Sequence, residues 1–149
     1  GQMADAEEQH HPPARGTRSV EIRVAARLEN LAVVRTVVAA LATFEDLDFD
    51  VVADLRLAVD EACTALIRSA LPDSSLLLTV DPREDAVVIS VSTTCNDDVV
   101  VKPGSFSWHV LSSLTDDVQT FTGGHHDGQG PKGQVFGITL TTRRVSLLR

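Results

Sequence analysis

Leu57-Ala58-Val59-Asp60-Glu61-Ala62-Cys63-Thr64-Ala65-Leu66-Ile67 is the stretch whose reading decides the fold. Val52, Leu55, Val59, Ala62 and Leu66 recur three or four apart, the spacing of one buried face of a helix. The helix is expected from about Asp50 and ends at Leu71-Pro72-Asp73, because proline disfavours helical backbone at the residue before it. Two adjacent carboxylates, Asp60 and Glu61, sit near its middle, about 100° apart around the axis. Glu61 and Ala65, spaced i, i+4, share one face. From spacing alone the carboxylates read as a solvated or ion-paired couple, with Arg68 about two turns from Glu61 as one partner.

Toward the N-terminus, Val20, Ile22 and Val24 alternate with Glu21 and Arg23, the period of a half-buried strand. The period then lengthens. Leu28, Leu31, Val34, Val38 and Leu41 predict an amphipathic helix, which Asp46-Leu47-Asp48 interrupts. Residues 1–18 are polar, with His10-His11-Pro12-Pro13, and read as a tail; its histidines are better tail residues than metal ligands.

Toward the C-terminus, the apolar runs Leu76–Val80 and Ala86–Val91 flank Asp81–Asp85, a hairpin with a five-residue loop. The polar stretch Ser92–Asp98 places Cys95 in a loop. A third helix is expected from about Ser105 to Thr115, with Phe106, His109, Val110 and Leu114 at helical spacing. Trp108 reads as core or lid packing. Val118–Phe121 is a short strand, Gly123–Gly133 a Gly-rich loop, and Val135–Thr142 the last strand. The order β-α-α-β-β-α-β-β, joined by hairpins, gives an α+β fold: one domain over residues 19–144, a two-layer sandwich whose mostly antiparallel sheet carries helices on one face. Residues 145–149 are a short C-terminal tail.

Composition narrows the function. A 149-residue chain with 43% hydrophobic residues can bury one core. Aromatics are only 4%, so that core is aliphatic. The net charge of −8 argues against direct nucleic-acid binding and leaves a basic protein partner open. No apolar run approaches the ~20 residues of a membrane span, and no signal-peptide pattern is seen, so a cytoplasmic location is expected. Cys63 and Cys95 make neither a disulfide framework nor a metal motif, and read as reduced thiols with a redox switch at Cys95 as runner-up. No metal site is expected; His125-His126-Asp127 in the Gly-rich loop would position ligands poorly.

The element order and the residues of the second helix resemble the anti-sigma factor serine kinases of the RsbW type, which share the GHKL (Bergerat) ATPase fold. The resemblance covers about residues 19–144. It implies a protein that holds an alternative sigma factor away from RNA polymerase and yields it to an anti-anti-sigma partner of the STAS type. Active members of the family also phosphorylate a serine of that partner with ATP. A homodimer formed through the sheet side that includes the first strand is implied as well.

The resemblance also assigns roles to residues. Glu61 matches the family's base or water-positioning carboxylate, while Ala65 stands where an asparagine binds magnesium, and a methyl group cannot ligate a hard cation. Thr93 stands at the aspartate that binds the adenine amino group, and Cys95 and Asp97 stand at two turn glycines. Ser105 and Ser107, after Pro103-Gly104, occupy the glycines that open the third helix at the phosphates; Ser105 is equally an N-cap candidate. Several boxes are thus altered together. The expectation is a sigma-sequestering protein that requires no cofactor, with ATP and magnesium bound weakly or not at all. An active kinase acting through Glu61 is the alternative. A small antiparallel domain binding some other protein is a third reading. Partner binding then falls to the first helix, where Asn30, Val34 and Arg35 match the family's contact helix. Without the family, Arg35 reads as an exposed arginine paired with Glu29 or Glu45.

Overall fold

The structure, a computed structural model, describes residues 16–123 and 133–145. Most of the N-terminal segment, the histidines of the Gly-rich loop and most of the C-terminal tail named above lie outside the described residues. The elements run β1 (Val20–Ala25), α1 (Leu31–Phe44), α2 (Phe49–Ser69), β2 (Ser75–Pro82), β3 (Ala86–Cys95), α3 (Phe106–Leu114), β4 (Asp117–Thr122) and β5 (Gln134–Arg143). This is the expected order. A short 3-10 turn, Leu28–Asn30, leads into α1. Leu28 is therefore exposed rather than part of the buried stripe, which is carried by Val34, Val38 and Ala42.

The five strands form one antiparallel sheet in the order β1-β2-β3-β5-β4. The apolar alternation sets its register. Ile22 faces Leu78, Leu78 faces Val91, Val91 faces Ile138, and Ile138 faces Thr120. A row of largely aliphatic side chains thus crosses the sheet on one face, since residues directly opposite share a face. On it lies α2, which buries Leu55, Ala58, Val59, Ala62, Cys63 and Leu66. Helices α1 and α3 flank α2 and complete the second layer.

Three expectations are corrected. First, β2 and β3 extend to Pro82 and from Ala86, so the hairpin loop is shorter than five residues; Arg83 N donates to Ala86 O at 2.7 Å. Second, β3 runs on through Ser92-Thr93-Thr94 to Cys95, paired with Gln134–Gly137 of β5. Its polar side chains misled the reading because local composition does not show that a partner strand covers them. Cys95 is thus a fully buried strand residue and not a loop residue. Third, α3 packs through Leu111, with Trp108 and Leu114 partly buried, while Phe106 is 81% exposed.

Away from the helices, the Phe121 ring lies on the backbone of Gly137, where an added Cβ would meet ring carbons at 2.1–2.5 Å. At the other end of the domain, the Glu45 carboxylate is buried between two arginines. Arg144 donates to Glu45 Oε1 at 2.7 Å and to Glu45 O at 2.8 Å, and Arg18 pairs with Oε2. Gly16 N donates to the Asp81 carboxylate at 3.1–3.2 Å, so residues 16–18 touch the domain.

Candidate functional site

The two carboxylates of α2 serve different neighbours. Asp60 turns toward α1 and accepts from Arg35 Nη1 at 3.1 Å, both side chains 35% exposed. Glu61 turns toward α3, where Ser107 Oγ donates to its Oε2 at 2.8 Å. The angular step between consecutive helical residues produces this divergence. The sequence had offered Arg68 to Glu61 and Glu29 or Glu45 to Arg35. In the structure Glu29 pairs with Arg27, and Glu45 with Arg18 and Arg144. The Arg35–Asp60 pair joins residues 25 apart in the chain, which no local pattern signals.

Arg35, Ala53, Arg56, Leu57 and Asp60 line a shallow cleft of about 320 Å³ between α1 and α2. Leu57 is 58% exposed and Val33 of α1 is also exposed. Asn30 closes the approach to α1, its side chain donating to Ala25 O at 2.8 Å. Val34 is buried in the core, so it carries the helix rather than its surface.

The expected nucleotide positions fall around the far end of α2. Ser105 is the N-cap of α3, its Oγ accepting from Trp108 N at 3.3 Å. Gly104 before it has φ +87° with open space around it, the turn the Pro-Gly pair predicts. Thr93 is fully buried and donates its hydroxyl to Ser75 O at 2.8 Å. Asp97 is exposed just beyond β3. Burial, then the Asp97 carboxylate, pushes the Cys95 thiol up to about 11. Burial, then Asp60, pushes Cys63 to about 12.

These residues are a poor fit for a magnesium nucleotide. Ala65 offers no oxygen to a hard cation, and the Glu61 carboxylate is already hydrogen-bonded to Ser107. The Thr93 proton is committed to a backbone carbonyl. The Cys95 position remains paired strand rather than a glycine turn. Among the described residues, no group of three His, Cys, Asp or Glu could hold a metal ion, and no helix is long and apolar enough to cross a membrane.

Comparison with known proteins gives the family of the domain. The histidine kinase-like ATPase domain profile matches residues 24–130, from β1 through α3 and β4. The chain belongs to this family. It is also 62% identical to the anti-sigma-F factor RsbW of Mycobacterium tuberculosis, in strains CDC 1551 / Oshkosh and ATCC 25618 / H37Rv, over all of this chain and 88% of each relative. The sandwich described above is the family's ATPase-type domain.

Proposed function

We propose that this protein is an anti-sigma factor, which sequesters an alternative sigma factor from RNA polymerase and is released by an anti-anti-sigma partner. The observation that carries this reading is the 62% identity, along the whole chain, to a protein named for that activity. Further support is the face of α1, where Arg35 is held half-exposed by Asp60 beside the exposed Leu57. An ion pair of this kind fixes the guanidinium fork in one orientation, ready for a partner's carboxylate or carbonyl. In this reading the protein is cytoplasmic and forms a homodimer through the sheet side that includes β1. It acts by binding alone, with release by competition, and ATP plays little or no part.

The test is transcription in vitro from a promoter read by the candidate sigma factor. Addition of this protein is expected to suppress the transcript, and the anti-anti-sigma partner to restore it without ATP. Transcription unaffected by a molar excess of the protein sinks the reading. Release that requires ATP, with phosphate appearing on the partner, favours the kinase alternative.

A further inference from the structure

The turn between α1 and α2 reads Phe44-Glu45-Asp46-Leu47-Asp48-Phe49-Asp50. In a chain with five phenylalanines, Phe44 and Phe49 are 77% and 87% exposed. Neither contributes to the core. Around them stand Asp46, Asp48 and Asp50, all exposed, whose side chains form no ion pair or hydrogen bond among the described residues. Glu45 differs, since it is buried and taken by Arg144 and Arg18.

A groove of about 300 Å³ opens beside this turn, lined by Asp46, Leu47, Asp48, Val51, Arg143 and Val145, with the Glu45–Arg144 pair at its base. It adjoins a second of similar size that adds Asp54, Asp116, Leu114 and Thr142. The hydroxyl of Thr142 is buried there without a hydrogen-bond partner. Across both grooves five carboxylates face two arginines, one of them spent on Glu45.

The backbone adds a second observation. Asp46 has φ +62°, where a non-glycine residue is strained. Its N–H donates to Thr43 O at 3.0 Å and Leu47 N to Ala42 O at 3.2 Å, the helix-ending pattern that glycine normally fills. An aspartate there forgoes stability and presents a carboxylate at the mouth of the groove.

We propose that this acidic, aromatic corner docks a basic segment of the partner that carries an apolar anchor, in addition to the α1 face. The inference rests on the anti-sigma reading. The charge fits that partner, because a protein that itself contacts DNA carries basic faces. The carboxylates steer the encounter and the two phenylalanines supply the apolar contact.

The experiment measures association of the full-length protein with the purified sigma factor by surface plasmon resonance at low and high salt. Three variants are compared: Phe44→Ser/Phe49→Ser, Asp46→Asn/Asp48→Asn and Asp46→Gly, with Arg35→Ala as reference. The phenylalanine variant is expected to weaken affinity at least about tenfold. The asparagine variant is expected to slow association severalfold at low salt and flatten its salt dependence. Asp46→Gly is expected to raise the melting temperature while slowing association, a combination that misfolding cannot produce. Unchanged binding in all three, with Arg35→Ala weakened, overturns the corner and leaves the anti-sigma reading standing. No binding by the unmodified protein overturns both. A change in oligomeric state by sedimentation, with binding intact, assigns the corner to a second copy of the chain and overturns the proposal.

Discussion

Arg35 and Asp60 form the ion pair on which the proposed partner surface turns. Replacing Arg35 with alanine is expected to cost more than about 2 kcal/mol of sigma-factor affinity, the range of an interface hot spot. Calorimetry against the purified partner checks this, and unchanged affinity removes Arg35 from the contact. The replacement leaves Asp60 exposed enough to hydrate, so thermal stability should shift little. The cysteines make a second residue-scale prediction. Both are buried, with thiols pushed to about 12 and about 11, and the thiolate is the reactive form. At pH 8 the native protein should react negligibly with a thiol-specific chromogenic reagent, and two thiols should appear on denaturation. Prompt reaction of one native thiol would restore a redox role to Cys95. Residue identities were legible where the chemistry was local. Ser105 announces a cap in the sequence itself, and the structure makes it the N-cap of α3. The bond of Ser107 to Glu61 spans 46 residues and becomes visible only when α3 is laid against α2.

At the scale of elements, the buried Glu45 carboxylate ties the end of α1 to the end of β5. Its carboxyl is held below the ordinary value first by the Arg144 hydrogen bond, then, against the opposing effect of burial, by Arg18. The folded value is the depressed one, so the contribution to stability is complete above the reference value of 4.5 and fades as pH falls through the folded value. Urea midpoints for the native protein and Glu45→Gln should therefore differ at pH 7 and converge on acidification below pH 4.5. Arg144→Ala should cost about 2–3 kcal/mol at neutral pH, a hydrogen-bonded charge left with a weaker partner. On the opposite face, Gly137→Ala drives a methyl into the Phe121 ring and should destabilise by about 1–3 kcal/mol. A melting temperature equal to that of the native protein would show that the ring is free to move aside. Helix α2 and the β2–β3 hairpin were readable because their periods are strong. The end of β3 was not, since Ser92, Thr93 and Thr94 are polar by type and buried only through pairing with β5.

For the whole molecule, the family's domain is present, and the proposed reading gives ATP little or no part in it. Calorimetry with ATP and magnesium is expected to give no low-micromolar binding, and labelled ATP no transfer to the anti-anti-sigma protein. Binding in that range would show that Ser105, Ser107 and Glu61 suffice without the asparagine. The single-domain architecture followed from element order alone, because a hairpin-rich chain of this length has few ways to cover one sheet face with helices. The exposure of Phe44, Phe49 and Leu57 did not follow, since it depends on how the helices are rotated.

The strand order bears on how the protein is made. Among the described residues, β5 is the last strand in sequence, lies inside the sheet between β3 and β4, and is the only neighbour of β4. On the ribosome, β1, β2 and β3 can pair while α1 and α2 settle onto them, but β4 must wait until Gln134–Arg143 has emerged. Sigma capture is therefore expected to begin only after Gln134–Arg143 has emerged and paired. A nascent chain stalled before Gln134 should stay protease-sensitive and unable to hold the partner.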